Sequence, residues 1–550
     1  MPGAKFCGPR PDQRMKHVSQ QLITKLKSSA GRLAESRIAA LFSTEPERVS
    51  RFCVSAAGLR LDLSKQMIDQ GTLDDLLQLA DDSAVATGIA AMFAGETINN
   101  TEARPALHTA LRMAVAGHDE VPHANVIRET HVAMEKFVTA VHAGERRGFS
   151  GKAFTDVVNI GIGGSHLGPQ LACDALRYEA DRKLNAHFLA NVDGGEFERV
   201  LQDLNPETTL FVVASKSFST VETRLNANSA RQWLLAASGN EASVERHFVA
   251  VSANTTRAAE FGINPGDIFP MWDWVGGRYS MWSAIGLPIA LAYGMRTFDD
   301  LLRGAAAMDV HFAETEAALN LPVLMALTGV WNTNFLGADS YAVVPYDDRL
   351  RFLPEYLQQL EMESNGKSTA ATGSAVNSAT APITWGGLGT NAQHAFFQLL
   401  HQGTRLVPLD LIVSLTHPVA RQEHHDLLVA NCFAQAEGLM TGRKVEADAD
   451  AHLAAHRSTP GNRPSSMLTV EALTAATLGA LIALYEHKTY VQSLIWEINA
   501  FDQWGVELGK ALATTIMSEL TNDQGDGQHD PSTSALIESY RQLRSESGNR

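Results

Sequence analysis

Asp156 to Gln170 reads D-V-V-N-I-G-I-G-G-S-H-L-G-P-Q, and this stretch decides the fold. The apolar run ending at Ile160 predicts a buried strand. Gly161, Gly163 and Gly164 follow, with Ser165 directly after. Glycines there let the backbone turn sharply and come close to a ligand. Gly168-Pro169 predicts a helix start, because proline is tolerated at the first helical position. Strand, glycine turn and helix together make a place for an anion, since free amides and the helix dipole both favour negative charge. The stretch has no G-x-x-x-x-G-K-[ST] pattern and lacks the third glycine of a dinucleotide turn. A tight turn without a ligand is the alternative.

Working outward, His187 to Val192 predicts a second strand and Thr208 to Ala214 a third. The third runs into Ser215, Lys216, Ser217, Phe218, Ser219 and Thr220. Ser219-Thr220-Val221-Glu222 matches a capping box, so a helix is expected to begin near Ser219. Hydroxyls, a lysine and fresh amide donors then crowd the carboxyl end of a strand, which is where ligands sit in open α/β sheets. Met271 to Ser280, M-W-D-W-V-G-G-R-Y-S, reads as a rigid loop near a cleft. Arg278 within it can bind phosphate, stabilise an oxyanion or make a structural salt bridge.

With 550 residues, 45% of them hydrophobic and 19% charged, the chain is a folded protein of several domains. Its net charge of -16 argues against a general nucleic-acid or membrane-surface role. Cys7, Cys53, Cys173 and Cys432 are too scattered for a disulfide scaffold or a zinc knuckle, and a reducing, cytoplasmic setting is expected. The first ten residues do not form a signal peptide. The apolar window Ala472 to Tyr485 is too short for a membrane span and reads as a buried helix.

Residues from about 16 to 93 alternate helical patterns with acidic turns, and nothing catalytic stands out there. Arg104, His108 and Arg112 recur every fourth residue on one expected helical face, solvated or near an anion. Residues of about 120–290 and 317–413 read as two βα-rich regions. In the second, Tyr341 to Pro345 is a strand and a helix runs from near Pro354 to Glu361. Glu363 lies where that helix should stop, before Asn365-Gly366. A carboxylate is an odd choice at a helix carboxyl end, so Glu363 reads as a turn support or a base. Thr390-Asn391-Ala392-Gln393 forms another expected capping box, placing His394 near the amino end of a helix and Phe396, Leu399 and Leu400 on its core face. His417, His424 and His425 lack metal-ligand spacing, so no metal is assigned. Gln503 and Lys510, seven apart, share a face if that part is helical. Ser534 to Arg544 reads as a terminal helix on an arm.

Six stretches carry a resemblance: G-I-G-G-S, A-S-K-S-F-S-T-V-E-T, G-G-R-Y-S, M-E-S-N-G-K, G-T-N-A-Q-H-A-F-F-Q and F-D-Q-W-G-V-E-L-G-K. In this order, from about Gly95 to the C-terminal helix, the chain resembles the phosphoglucose isomerase family. The resemblance implies an α/β fold of two sugar-isomerase domains, each a five-stranded, mostly parallel sheet between helices. The expected division is 1–118 for N-terminal helices packed on the larger domain, 119–290 for the smaller domain, 291–512 for the larger and 513–550 for a C-terminal arm. It also implies a homodimer with active sites at the subunit interface, a sugar-phosphate substrate and no cofactor.

Carried over residue by residue, Gly164, Ser165, Ser215, Lys216, Ser217 and Thr220 match the phosphate loops. Gln503 matches a residue that closes on the substrate. Glu363 matches the base, Arg278 the arginine beside the enediolate, His394 the ring-opening histidine of the partner subunit and Lys510 the lysine that assists it. Ser217 stands where many members carry threonine, and Gly387 where many carry glutamate. The implied reaction is reversible aldose–ketose exchange between glucose 6-phosphate and fructose 6-phosphate through a cis-enediolate. A non-catalytic sugar-phosphate sensor would not need Glu363, His394 and Lys510 together. An isomerase also accepting mannose 6-phosphate is the nearer rival.

Overall fold

The computed structural model describes residues 18–179, 182–445, 451–522 and 528–547. Cys7, the first ten residues, and positions 523–527 and 548–550 of the expected arm lie outside the described residues. Residues 1–500 and 501–550 form two compact units.

The first unit opens with helices, but also with a hairpin that the helical reading of 16–93 missed. Strands β1 (Cys53–Ala56) and β2 (Leu59–Asp62) pair antiparallel. Ala57 and Gly58, at φ 49° and 77°, make the two-residue turn between them. That left-handed pair matches the twist of the strands it joins. The signal was the A-G dipeptide between two four-residue runs too short to show a period.

Next comes a wholly parallel sheet of β3 (Asp156–Ile160), β4 (Asn185–Leu189), β5 (Thr209–Ala214), β6 (Phe248–Ser252) and β7 (Ile268–Pro270), in the order β4-β3-β5-β6-β7. β5 and β6 are buried along their whole length, as strands covered by helices on both faces must be. The expected strand at His187 to Val192 is displaced: pairing runs from Asn185 and ends at Leu189. One face packs Phe211, Val213 and Phe248 against Leu234 and Ile263. The chain leaves β3 for β4 on one side and returns to β5 on the other. The crevice for a ligand therefore lies at the carboxyl ends of β3 and β5.

The second sheet contains β8 (Ser340–Tyr346), β9 (Ile383–Gly386), β10 (Leu409–Thr416) and β11 (Ser465–Ala472), in the order β1-β2-β11-β10-β8-β9. β8 to β11 are parallel, and the N-terminal hairpin joins through antiparallel pairing of β2 with β11. This sheet therefore has six strands rather than the expected five. The apolar window belongs to a buried helix, Ala475–Ile495, with a capping box between Thr474 and Thr477. No described helix is long and apolar enough to cross a membrane. The buried helix packs against Met295–Glu314 so closely that a Cβ on Gly304 would stand 1.8 Å from the Ala476 carbonyl oxygen.

Arg112 does not lie on a solvated face. The helix is His108–Val115, so Arg104 precedes it, and both His108 and Arg112 are buried. Arg112 donates to both Asp309 carboxylate oxygens at 2.6 Å and to Glu486 Oε2 at 2.5 Å. Trp282 Nε1 donates to Glu486 Oε1 at 2.8 Å, and His487 Nε2 lies 2.7 Å from Asp309. Burial pushes the His487 ring down to about 4, so it is neutral and donates that bond at neutral pH.

The second unit contains a 3-10 turn, Trp504–Val506, and two helices, Glu507–Asn522 and Pro531–Ser547. The helices meet where the Arg541 guanidinium donates to the Glu519 carbonyl and His529 pairs with the Glu519 side chain at 3.1 Å. Gln503 lies before the 3-10 turn, so it does not share an α-helical face with Lys510.

The buried arginine generates a stability prediction. Arg112→Met is expected to leave two buried carboxylates without their cation and to cost about 3–5 kcal/mol in urea unfolding. A loss below about 1 kcal/mol, the scale of a surface pair, would show that these carboxylates do not depend on Arg112.

Candidate active site

Two crests meet at the crevice between β3 and β5. After β3 the chain makes a 3-10 turn, Gly163–Ser165, and enters helix Leu167–Ala175. The helix therefore starts before Gly168-Pro169, continuing directly from the glycine turn. Buried Asn159 donates through Nδ2 to the Ser165 carbonyl at 3.0 Å and holds the turn from below. A Cβ on Gly161 would lie 3.1 Å from the Ala214 carbonyl oxygen, so the two crests are in contact.

After β5 the loop reverses through Phe218, whose φ of 50° is unusual for a bulky residue. That turn drops the Phe218 ring into the core beside Phe261 and leaves Ser217, Ser219 and Thr220 at the surface or half-buried. The expected capping box does not form. Helix Val221–Ser238 has Thr220 at its N-cap position without a side-chain cap, and Ser219 Oγ donates to Ser217 Oγ at 2.7 Å instead. Ser215 is buried and its Oγ has no hydrogen-bond partner among the described residues. Lys216 Nζ lies 2.9 Å from Asp273 Oδ1, and Arg104 Nη1 lies 3.6 Å from the same oxygen. The Lys216 ammonium, with Arg104 beside it, holds the Asp273 carboxyl below its usual range. Gly164, Ser165, Ser215, Lys216, Ser217 and Thr220 thus gather at one crest pair.

Arg278 sits in a 3-10 turn, Gly277–Tyr279, pressed against the glycine turn. A Cβ on Gly164 would stand 1.9 Å from the Gly277 carbonyl oxygen and 2.6 Å from the Arg278 amide nitrogen. The buried guanidinium donates from Nε to Ser364 Oγ at 2.7 Å and from Nη2 to the Ala500 carbonyl at 2.5 Å. Its Nη1 lies 3.5 Å from Glu363 Oε2. The arginine side chain is 1% exposed and the glutamate 22%, so one member of the pair is fixed and the other opens toward solvent. Tyr279 OH is 3.0 Å from Ser364 Oγ, and burial pushes its phenol up to about 12, keeping it protonated.

Glu363 ends a π-turn, Gln359–Glu363, that follows helix Leu353–Gln358. Helical turns continue to Asn365, so the carboxylate belongs to the last turns rather than to the loop after them. Lys367 Nζ donates to the carbonyls of Glu363, Ser364 and Asn499, at 3.2, 2.7 and 2.8 Å. A lysine on the last carbonyls offsets the unfavourable dipole that an acidic group meets there.

The structure also brings in residues the sequence did not single out. A Cβ on Gly163 would lie 3.1 Å from Gln359 Nε2, and Gln359 Oε1 is buried without a partner among the described residues. Gln359 is four residues before Glu363, a spacing that was there to be read. Asp273 and Ser364 gave no such signal, because their partners are far away in sequence.

His394 sits on a different element, after β9. It is the C-cap of a five-residue helix, Gly389–Gln393, with Leu388 at the N-cap and no side-chain cap. It therefore stands at the carboxyl end of a helix, contrary to the expected amino-terminal position. A second helix, Phe397–Gln402, buries Phe397 and Leu400, while Leu399 is exposed and Phe396 half-buried. The exposed His394 ring makes no hydrogen bond or ion pair among the described residues. It lines a groove of about 520 Å³ with His401, Gln435 and Arg443, none of which belongs to the crest. A Cβ on Gly387 would meet only the edge of the Phe396 ring at 3.6 Å, an ordinary contact. In the second unit, exposed Lys510 pairs with Glu507 at 2.9 Å. Among the described residues no group of three or more His, Cys, Asp or Glu side chains is arranged to hold a metal ion.

Comparison with known proteins bears on this geometry. Residues 62–537 match the family model for phosphoglucose isomerase. The glucose-6-phosphate isomerase of Hahella chejuensis is 50% identical over 536 residues, covering 94% of this chain and 96% of that one. That of Pseudomonas aeruginosa is 51% identical over 526 residues, covering 92% and 95%. The crystal structure of a glucose-6-phosphate isomerase from Chlamydia trachomatis superposes with a TM-score of 0.83 at 32% identity, over 95% of this chain and 99% of that one. With half its residues shared over nearly its full length, this chain belongs to the phosphoglucose isomerase family.

Proposed function

We propose that Glu363 and Arg278 carry the chemistry of this chain, an isomerase that reversibly interconverts glucose 6-phosphate and fructose 6-phosphate in glycolysis and gluconeogenesis. The observation that carries the assignment is the 3.5 Å approach of a half-open carboxylate to a buried guanidinium at a ligand crevice. Glu363 takes the proton from C2 of the open-chain aldose, and the electron pair moves to make the C1–C2 enediolate. Arg278, itself buried, faces the negative charge that develops on oxygen. Glu363 returns the proton to C1 while the proton on O2 passes to O1, giving the ketose. The phosphate binds through Ser215, Lys216, Ser217 and Thr220, with Gly164 and Ser165 beside them, and holds C1 and C2 at the base. Lys216 exchanges Asp273 for the phosphate as it does so. Gln359 adds an amide to the same crevice.

Ring opening needs a separate acid and base. We assign it to His394 and Lys510, with Gln503 closing on the substrate. His394 has no hydrogen-bond or ion-pair partner among the described residues and so makes no such contact with Glu363 or Arg278, which supports a homodimer whose site is completed by the partner subunit's His394. The division at 1–118, 119–290, 291–512 and 513–550 suits this arrangement, since the N-terminal hairpin extends the second sheet. A phosphorylated sugar cannot diffuse through a lipid bilayer, so the protein's place is the cytoplasm.

Glu363→Gln keeps the size of the side chain and removes the base. The variant is expected to fold, to bind 6-phosphogluconate, and to lose turnover by about 10²–10⁴-fold. Exchange of the C2 hydrogen with deuterated solvent should stop with it. Normal exchange in a folded variant would remove Glu363 as the base.

Subunit sharing has its own readout. Glu363→Gln and His394→Ala homodimers, each inactive, are mixed under conditions of subunit exchange. One site in each heterodimer then holds both intact groups, and activity should return to roughly a quarter of the parent's, as random pairing of one good site in half the dimers requires. No recovery after proven exchange, or full activity in a monomer by light scattering, would place His394 in its own chain's site or outside catalysis.

A further inference from the structure

The π-turn before Glu363 needs something to hold it. An α-helix turns through about 100° per residue, and a π-turn inserts roughly one extra residue. If Gln359–Glu363 relaxed to α geometry, Glu363 would swing by about that angle relative to helix Leu353–Gln358. The carboxylate would then leave Arg278.

Glu361, in the middle of this turn, points the other way into the core. It is 3% exposed. Its Oε2 accepts from Lys488 Nζ at 2.8 Å and from Thr489 Oγ1 at 3.2 Å. Its Oε1 accepts from Asn365 Nδ2 at 3.3 Å, and that amide also donates to the Thr489 carbonyl at 3.0 Å. Lys488, 2% exposed, donates in addition to Gln492 Oε1 at 3.2 Å. The turn is thereby tied at two points to the buried helix Ala475–Ile495. A buried ion pair is a poor source of stability, because desolvating two charges offsets their attraction, and apolar replacements of similar volume are often as stable or more so. Its placement inside the turn that aims Glu363 gives it a different use.

We infer that the buried Glu361–Lys488 pair is a positioning device for the reaction, locking the π-turn so that the Glu363 carboxylate faces Arg278. Neither residue touches the substrate. The inference rests on Glu363 being the base.

The test uses the full-length protein with the double substitution Glu361→Leu/Lys488→Met, and with Lys488→Met alone. The double variant is expected to melt at or above the parent temperature. Its KM, and its affinity for 6-phosphogluconate, should stay within about twofold, because the phosphate loops are untouched. Its kcat should fall by about 10- to 100-fold, the scale expected when a reacting group is misplaced by an ångström. A merely structural pair would give the opposite pattern, a lower melting temperature with kcat unchanged in the folded fraction. If the double variant does not fold, Lys488→Met is read by kcat and KM alone, because a Glu361 carboxylate left buried without its cation lowers the melting temperature whichever role the pair has. A folded variant with kcat within about twofold of the parent overturns the inference, and so does failure of both variants to fold, since the pair would then be a stability element. Glu363→Gln is run beside them. If it still exchanges the C2 hydrogen, the base assignment has failed. If it is inert while the double variant keeps its kcat, only the positioning role has failed.

Discussion

Two backbones touch at the crest of the first sheet, and no side chain fits between them. The contact of Gly164 with Gly277 and the Arg278 amide fixes where the arginine can start. From that point the guanidinium runs into the interior, where unpaired donors are costly. Ser364 Oγ and the Ala500 carbonyl take Nε and Nη2. Nη1 lies 3.5 Å from Glu363 Oε2. The arginine belongs to the segment after β7 and the glutamate to the segment after β8. Their approach is a property of how two sheets are joined, and it begins with a glycine in a third segment.

Charge at the crest is paired, but in the open. Lys216 and Arg104 already face Asp273, so the positive groups are not left bare. Asp273 is 74% exposed, and an ion pair that open contributes little. A phosphate carries more charge than a carboxylate and three strong acceptors, and in the proposed site it would meet hydroxyls and amides as well as the ammonium. On that proposal the balance would tip toward the ligand without a large field over the whole protein, whose net charge of -16 has the wrong sign for one.

Features encoded locally were legible in the sequence. The strand ending at Ile160, the glycine turn after it and the strand ending at Ala214 need only a few neighbours to be recognised. So does the buried helix after Thr474, whose capping box is closed by residues three apart. Features set by distant partners were not. The hairpin at Cys53 to Asp62 becomes part of a sheet only by pairing with β11, some 400 positions on. The periodic Arg104, His108 and Arg112 looked like a solvated stripe because Asp309 and Glu486, which make burial of Arg112 tolerable, are almost 200 and 374 residues away. The capping boxes at Ser219 and Thr390 had the right letters. The first lost to a left-handed Phe218 that shifts the helix start, and the second to a helix only five residues long. Glu363 read as a turn support or a base, and the π-turn that carries it has no signature in its own residues.

The central buried helix explains how a core rich in charge can still be well defined. Glu486, His487 and Lys488 are consecutive, so they leave the helix axis about 100° apart. Glu486 meets Arg112 and Trp282, His487 meets Asp309, and Lys488 meets Glu361. An apolar helix in the same place would be kept from turning or slipping by packing alone, as where Gly304 meets the Ala476 carbonyl. Here any such movement separates charges and donors from their partners in three directions at once, and each orphaned group would cost more than a lost methylene. The expense of burying these groups is therefore also the source of a unique register. The turn that bears Glu363 is bonded to this helix through Lys488 and Thr489. The turn carrying a half-buried carboxylate at the crevice is thus bonded to a helix that the solvent does not reach.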